Sequence, residues 1–382
     1  MRKIKRRKVR HNKQADVASV RKILRRKGRS MDPNDRVEFI HSGSTRLNLA
    51  LSGKGPKGGW ARSRICNIVG DGSSGKTLLA LECCFWAWKY IKKIKSKIFP
   101  KVKKLIIVYN NCEGVMDFPL EKMYGRKNPK TGKWECPFVD EVEWITTKNV
   151  EAFGRDYYRR VKALKRGEFL LYILDSWDAI KSFKDIERFE QAVENDTEEK
   201  GSYNLEKQKY SSSFFAAVAS QLESNKYDAT LMIISQVRVK IGATFGKKTY
   251  RAGGKALDFY THQVAWIREV EKLRKTKKKS KRVFGIISEV KVERSKVSKP
   301  FRDSRFTILY DYGLDDINSM ADFLWGKNVI RFDKKKFKKR ANFVKYVEEN
   351  DREEALAEKT EKKWNKIEKL FEDEVTKRKA RF

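Results

Sequence analysis

The residues with the clearest chemical signal form one run at positions 70–77. They match G-x-x-x-x-G-K-[ST], the phosphate-loop motif, without a mismatch. An apolar run at 65–69 precedes them and predicts a buried strand, and residues 78–88 predict a helix. The predicted nucleotide-binding residues are Gly70, Asp71, Gly72, Ser73, Ser74, Gly75, Lys76, Thr77 and Leu78.

This motif has a direct physical meaning. The glycines let the backbone curl round a phosphate, and the N–H groups at the helix N-terminus point at it. Lys76 is expected on the β- and γ-phosphates, and Thr77 is expected to hold Mg²⁺. A Gly-rich strand-to-helix turn that happens to contain Lys is the alternative. The motif predicts a nucleoside triphosphate and magnesium, but not what hydrolysis drives.

Polar side chains follow three further apolar runs. Glu113 comes after the strand predicted at 104–109, where phosphate-loop ATPases often carry the carboxylate that orients the attacking water. Asp117 competes for that role. Asp175 closes an apolar run in the Walker B pattern and is predicted to hold Mg²⁺, and Gln236 closes a fourth strand.

Apolar strands alternate with helices, which predicts an α/β fold with a mostly parallel central sheet covered on both faces. Ligands bind at the carboxyl ends of such strands, where Thr77, Glu113, Asp175 and Gln236 would converge. We expect three parts: a basic N-terminal arm and helix at 1–38 for oligomerisation or DNA, an ATPase core at 39–315, and a small C-terminal domain at 316–382.

Composition restricts the partners. The 382 residues contain 88 Lys and Arg against 50 Asp and Glu, a formal charge of +38 that suits nucleic acid or an acidic membrane surface. No apolar run approaches 18 residues, so we expect no membrane span. The five cysteines have no metal spacing, which favours a reducing, cytoplasmic location, and the start has no apolar signal-peptide core.

Several polar segments read as surface features. The Lys-, Arg- and Gly-rich segment 237–254 could follow a phosphate backbone, or it could be a plain exposed loop. Residues 272–282 hold eight basic residues and predict an exposed turn, and 127–133 predict an exposed basic hairpin or insertion. The acid-rich segment 181–200 predicts a mobile surface loop with at most a turn of helix.

Together these stretches resemble the RecA-type recombinases. The approach to the core (30–32, 42–44 and 47–51) and the phosphate loop ending Ser-Ser-Gly-Lys-Thr are similar to that family. The more specific stretches are IISQVRVKIGATFGKKTYRAGGKALDFY at 233–260 and VKVERSKVSKPF at 290–301. The resemblance runs from about position 30 to the C-terminal helices. It implies a RecA-like core with a small C-terminal helical or α+β domain.

The resemblance also implies roles. Glu113 matches the general base, and Gln236 matches the γ-phosphate sensor that sets the following DNA-binding loop. Arg294 and Lys296 match basic residues that reach the neighbouring subunit's nucleotide, although the bacterial family usually has Lys at the first position. The first DNA-binding loop falls somewhere in 178–204. The predicted DNA-binding residues are Arg238, Lys240, Phe245, Lys247, Lys248, Arg251, Gly253 and Gly254.

The implied function is a DNA-dependent ATPase that uses ATP and Mg²⁺. It would form a helical filament on single-stranded DNA, with ATP at subunit interfaces, and promote pairing and strand exchange with double-stranded DNA. The alternatives are a RecA-fold ring helicase or motor, and a non-enzymatic DNA-coating recombination mediator. The basic arm at 1–13 and the absence of an acidic C-terminal tail depart from the family and suggest tighter, less selective DNA binding.

Overall fold

The computed structural model describes residues 37–114, 116, 118–197, 205–239, 249–251, 254–326 and 329–375. The predicted basic arm and helix at 1–38, apart from its last two residues, and the end of the chain at 376–382 lie outside these ranges. Two compact units divide the chain, Met1–Val37 and Glu38–Phe382. Only Val37 of the first unit is described, so the elements below belong to the second unit.

The described strands are β1 (Phe39–Ile40), β2 (Trp60–Ala61), β3 (Ile65–Gly70), β4 (Lys104–Asn111), β5 (Arg126–Lys127), β6 (Trp134–Glu135), β7 (Val142–Ile145), β8 (Glu168–Asp175), β9 (Ala229–Val239), β10 (Thr249–Arg251), β11 (Gln263–Lys277), β12 (Ser280–Ser295), β13 (Asp303–Leu309), β14 (Gly313–Asp315), β15 (Ile330–Phe332) and β16 (Lys335–Phe337). The described α-helices are α1 (Thr45–Ser52), α2 (Lys76–Tyr90), α3 (Leu120–Tyr124), α4 (Pro137–Asp140), α5 (Val150–Ala163), α6 (Phe183–Glu194), α7 (Leu205–Glu223), α8 (Gly254–Tyr260), α9 (Asp316–Leu324), α10 (Arg340–Glu349) and α11 (Glu353–Val375). A short 3₁₀ helix, Ile91–Lys93, follows α2.

One large sheet organises these elements. Its strand order is β14-β13-β12-β11-β3-β9-β8-β4-β7, and β10 pairs with the end of β9. Strands β11, β3, β9, β8, β4 and β7 run parallel to their neighbours, whereas β12, β13 and β14 extend the sheet in antiparallel pairs. The predicted α/β fold with a mostly parallel central sheet is therefore confirmed.

The central strands are buried because helices cover them. The side chains of β3 are all buried, and those of β8 are buried from Phe169 onward. On one face, Phe153 and Tyr157 of α5 pack with Phe214 and Phe215 of α7 over the sheet. Continuous apolar runs of this kind are typical of parallel strands covered on both faces.

The residues after Asp315 form a smaller apolar cluster from α9, β15, α10 and α11, centred on Phe343, Val347 and Leu356. Helix α9 is also tied to α1, because the Asp316 carboxylate accepts hydrogen bonds from the Thr45 backbone N–H (2.8 Å) and hydroxyl (2.7 Å). The boundary of a separate C-terminal domain stays a prediction.

Two segments differ from their predicted structures. The segment predicted as a loop with at most one helical turn contains the three-turn helix α6, whose N-cap Ser182 accepts a hydrogen bond from the Asp185 N–H. The segment predicted as a turn at 272–282 is mostly strand, because β11 and β12 continue to a two-residue turn at Lys278 and Lys279. No helix in the described part of the chain is long and apolar enough to cross a membrane.

Glu82 of α2 is a buried acid behind the phosphate loop. It accepts a hydrogen bond from the Tyr124 hydroxyl at 3.3 Å, and the Leu314 N–H lies 3.5 Å from the same oxygen. A Cβ atom at Gly43 or Gly313 would lie 2.8 or 2.6 Å from the carboxylate oxygens, and both glycines have positive φ. Burial raises the pKa of Glu82 to about 7.

Replacing Glu82 with Gln should flatten the pH dependence of stability. Because the pKa is raised in the folded state, the stability that the neutral acid contributes is complete below about pH 4.5, the ordinary pKa of this side chain. That stability is lost as the pH rises through about 7. Glutamine cannot ionise. The free energy of unfolding of Glu82→Gln, relative to that of the parent, should therefore rise between pH 5 and pH 8 by an amount on the order of 3 kcal/mol. Denaturant unfolding at both pH values measures this difference.

The exposed variant Glu190→Gln is the control, and its stability should follow that of the parent at both pH values. A difference between Glu82→Gln and the parent that is the same at pH 5 and pH 8 would contradict this account.

Candidate nucleotide-binding site and its connection to the basic loop

The phosphate loop has a fixed shape. A Cβ atom at Gly70 would lie 2.6 Å from Ser74 Oγ and 2.7 Å from the Ile267 carbonyl oxygen, so only glycine fits there. Ser288 Oγ donates to the Ser74 carbonyl at 3.0 Å and joins the loop to β12. A Cβ atom at Gly72 would meet nothing within 4 Å, so that side of the loop is open.

The loop leads directly into α2. Gly75 has φ +96, a left-handed conformation that favours glycine, and Ser73 has φ +60. Leu78 is 3% exposed, so its side chain belongs to the core and only its backbone can face a ligand. Because α2 begins at Lys76, its N-terminal N–H groups lie beside the loop, the arrangement that binds phosphate.

Lys76 and Thr77 lie at the mouth of this loop. Lys76 Nζ donates to the Asp71 carbonyl oxygen at 2.6 Å, so the side chain folds back over its own loop. Burial lowers the pKa of Lys76, and the nearby carboxylates of Glu113 and Asp175 oppose that change. Thr77 Oγ1 donates to Asp175 Oδ2 at 2.9 Å, which joins the two predicted magnesium residues.

Asp175 ends β8 and is 3% exposed. The Tyr109 hydroxyl donates to Oδ2 at 2.7 Å, whereas Oδ1 is buried and has no hydrogen-bond partner among the described residues. Burial raises the pKa of Asp175, and the hydrogen bonds from Tyr109 and Thr77 partly offset the rise. A bound cation, directly or through water, would satisfy this buried oxygen.

This donor set fits magnesium. The described residues contain no cluster of three or more His, Cys, Asp or Glu that could form an all-protein metal site. Magnesium instead takes one or two protein ligands, water and substrate phosphates. Thr77 and Asp175 would hold such an ion next to the phosphate loop.

Glu113 lies two residues beyond β4, and strand register brings it to the same edge. Asn111 of β4 pairs with Asp175 of β8, so the two strands end level. The Glu113 carboxylate accepts a hydrogen bond from the Ser176 hydroxyl. It also accepts one from Gln236 Nε2 at 3.1 Å. Asp117, the predicted competitor, lies outside the described residues.

Gln236 joins this carboxylate to β9. Gly70 pairs with Gln236, so Gln236 is level with the start of the phosphate loop, and β9 continues for three residues beyond it. The Gln236 backbone N–H donates to Asp178 Oδ2 at 2.8 Å, and Arg238 lies 3.5 Å from the other oxygen of Asp178. The Asp178 carboxylate therefore holds the strand residues that lead into segment 237–254.

Lys207 at the start of α7 is a buried cation that the sequence analysis did not identify. Its Nζ donates to the carbonyl oxygens of Trp177 (2.6 Å) and Ile180 (2.5 Å) and lies 4.8 Å from the Trp177 ring centre. Burial lowers its pKa to about 8. Lys207 therefore fixes the backbone on both sides of Asp178. Nothing in the local sequence marks this residue.

The predicted DNA-binding residues fall into three groups. Arg238 is exposed at the start of the loop, and Gly254, with φ +65, begins α8. Arg251 is buried at 6% exposure, where it donates to Asn67 and pairs with Asp258, so the structure places it inside the protein. The others lie outside the described residues: Lys240, Phe245, Lys247, Lys248 and Gly253.

Arg294 and Lys296 do not join the phosphate loop of their own chain. Arg294 pairs with Val264 near the start of β11, away from the strand ends that carry the loop. Its guanidinium donates to the carbonyl oxygens of Asp258 and Phe259 at the C-terminal end of α8. Lys296 is exposed, and its Nζ lies 5.7 Å from the Phe259 ring centre.

Comparison with known proteins agrees with this geometry. A family model described as the RecA N-terminal domain matches residues 197–315. Protein RecA of Gloeothece citriformis is 28% identical over 347 residues, which cover 85% of this chain and 80% of that protein. Protein RecA of Fusobacterium nucleatum is 28% identical over 77% of this chain and 66% of its own length. Protein RecA of Synechococcus sp. is 29% identical over 75% and 64%.

These alignments cover most of the chain, and the family model spans β9 and the strands β11 to β13 that follow the segment after Gln236. The chain spans about two thirds of the length of two of these relatives and more of the first. The mostly parallel sheet and the residues at its carboxyl edge agree with the same assignment. The chain is thus similar to RecA proteins over most of its length, which supports a divergent RecA-family member.

Proposed function

We propose that the protein is a DNA-dependent ATPase that forms a helical filament on single-stranded DNA and promotes homologous pairing and strand exchange in recombinational repair. The observation that carries this proposal is the hydrogen bond from Gln236 to Glu113. It joins the carboxylate at the phosphate site to the strand that leads into the basic segment 237–254.

ATP is the proposed substrate, and Lys76, Thr77 and Asp175 are its proposed contacts. When bound, magnesium neutralises charge on the β- and γ-phosphates. Lys76, which now donates to the Asp71 carbonyl, would bind the phosphates, and Thr77 and Asp175 would hold the magnesium ion. Glu113 accepts a proton from the attacking water. The hydrogen bonds from Ser176 and Gln236 hold its carboxylate at the mouth of the site.

DNA and ATP are coupled through Gln236 in this proposal. With ATP bound, the Gln236 amide moves from Glu113 to the γ-phosphate, and its backbone carries the change into segment 237–254. DNA held by that segment favours the same arrangement, since coupling between two binding sites is reciprocal. The positive charge of the chain supports a nucleic-acid partner, because Lys and Arg displace counterions from phosphates.

Arg294 and Lys296 are proposed to act on the nucleotide of the neighbouring subunit. Their position away from their own phosphate loop supports an action in trans, in which a cation stabilises the transferring phosphoryl group. Both lie at the end of α8, the helix that follows the basic segment. A head-to-tail contact of this kind generates a ring or an open helical filament. We propose the filament, in the cytoplasm.

The parent protein should hydrolyse ATP faster with single-stranded DNA, and Glu113→Gln should abolish most of this activity. Removal of a general base costs about 10²- to 10⁴-fold in rate. The amide keeps the size of the side chain, so binding of ATP and DNA should persist. Phosphate release measures the rate, and fluorescence anisotropy measures DNA binding.

Glu121→Gln, on the short helix α3, is the matched control and should behave like the parent. Asp117→Asn separates the competing assignment. If Glu113→Gln hydrolyses ATP at the parental rate while Asp117→Asn does not, Glu113 is not the base.

The trans role predicts complementation between two inactive variants. A protein with Arg294→Ala and Lys296→Ala keeps its phosphate loop but lacks the cations that would act on the neighbouring subunit's nucleotide. Lys76→Ala keeps both cations but lacks the phosphate-binding lysine. Mixed in the presence of single-stranded DNA, they should hydrolyse ATP faster than the sum of the two alone. The mixing ratio is varied while phosphate release is followed. A rate that never exceeds that sum at any ratio would exclude the trans assignment.

A further inference from the structure

The hairpin formed by β11 and β12 carries a concentration of positive charge that the proposed ATPase cycle does not use. We call residues 268–287 the basic ribbon. Its turn residues Lys278 and Lys279 have φ +43 and +66, the two left-handed residues of a tight hairpin turn whose twist matches the strands. The cations of the ribbon's outer part are Lys272, Arg274, Lys275, Lys277, Lys278, Lys279, Lys281 and Arg282.

Charge is balanced at the base of the ribbon and unbalanced towards its tip. At the base, Glu289 pairs with Arg268 and with Arg305 (3.1 Å), and Glu269 lies 3.6 Å from Lys272. Among the described residues, the outer cations beyond Lys272 form no ion pair with a carboxylate. They are all exposed. A ribbon with only a structural role would gain from opposite charges on its two strands.

Strand register makes the imbalance costly. Lys275 and Arg282 are directly opposite each other, and like charges in that position destabilise an antiparallel pair. The next pair, Thr276 and Lys281, also lacks an acid. A bound polyanion would offset this repulsion, because its negative charges attract both cations. The ribbon is therefore built for a strongly negative partner.

The position of the ribbon relates it to the nucleotide site. Pairing between β11 and β3 ends where Ile267 meets Gly70, and β11 then continues for ten residues to Lys277. At about 3.3 Å per residue, this extension reaches up to roughly 33 Å past the edge of the sheet that carries the phosphate loop. Strand β9, which leads into segment 237–254, leaves the same edge on the other side of β3. The two bases are two strand spacings apart, about 10 Å.

The shape of the ribbon favours a duplex over a single strand. A two-stranded β-ribbon fits the major groove of B-DNA, which is about 12 Å wide. Single-strand sites instead depend on aromatic side chains on which successive bases stack. Residues 272–282 contain no aromatic residue, and Phe284 is the first one beyond them.

We propose that the basic ribbon binds the phosphate backbone of double-stranded DNA, as a contact separate from segment 237–254. The ribbon holds a duplex beside the edge of the sheet from which that segment leaves. This adds a duplex site to the proposed recombinase. Because the contact needs no ATP, its failure can be told apart from failure of the proposed ATPase.

The test removes the like-charged pair and measures the salt dependence of duplex binding. Lys275→Gln with Arg282→Gln should lower the affinity of the full chain for a duplex without ATP. Each lost phosphate contact reduces the slope of log affinity against log salt by about 0.9, so the slope should fall by about 1.8 in magnitude. Both residues are exposed, and their removal relieves repulsion, so the melting temperature should not fall.

The control is Lys130→Gln with Lys133→Gln, an equal charge loss in the exposed β5–β6 hairpin, and it should keep the parental slope. Binding to a single-stranded oligonucleotide and to vesicles containing phosphatidylserine is measured in parallel. Equal duplex slopes in the parent and the ribbon variant would overturn the proposal. A variant that loses vesicle binding but keeps the parental duplex slope would overturn it in favour of a membrane contact.

Discussion

The level ends of the parallel strands are the constraint on which the site depends. Gly70 pairs with Gln236, and Asn111 pairs with Asp175, so β3, β4 and β8 end at one edge of the sheet, where β9 carries Gln236. At this edge Thr77 donates a hydrogen bond to Asp175, and Gln236 donates one to Glu113. A slip of one residue in either pairing would turn these side chains to the opposite face. The buried apolar strands oppose such a slip and so hold the site together.

A chain of contacts continues from this edge into the basic segments. Glu113 contacts Gln236, Gln236 contacts Asp178, and Lys207 fixes the backbone around Asp178. The same strand enters segment 237–254, and α8 beyond that segment ends at Arg294 and Lys296. Contacts between described residues therefore connect the phosphate site to β9, and to β10, which pairs with β9. We propose that these contacts carry the coupling between nucleotide and DNA.

The sequence predicts the parts of this site that depend on local pattern. The phosphate loop has a fixed spacing and a strand before it, and Asp175 and Gln236 each close an apolar run. Lys207 and the Asp178 contact to Gln236 could not be predicted, because they join segments brought together only by folding. The DNA contact of Arg251 stays a prediction, and its burial with Asn67 and Asp258 could not be read from the basic stretch in which it lies.

The two segments with wrong secondary structure share a cause. Helix α6 and the outer strands of the basic ribbon are both rich in charged residues. Such segments contain too few apolar residues to show the spacing from which a helix or strand is predicted. For α6, Ser182 followed by Asp185 was a usable start signal. For the ribbon, the long antiparallel pairing is a tertiary property of the sheet that extends β11 beyond its apolar part.

The central claim is that Gln236 couples nucleotide to DNA, and the affinity for single-stranded DNA with and without a non-hydrolysable ATP analogue tests it most directly. In the parent, the analogue with magnesium should raise the affinity by about 5- to 150-fold, the usual range of allosteric coupling. In Gln236→Ala, the analogue should still bind, as a direct titration would show. The affinity of this variant for DNA should be the same with and without the analogue. An equal rise in the parent and in Gln236→Ala would contradict the account.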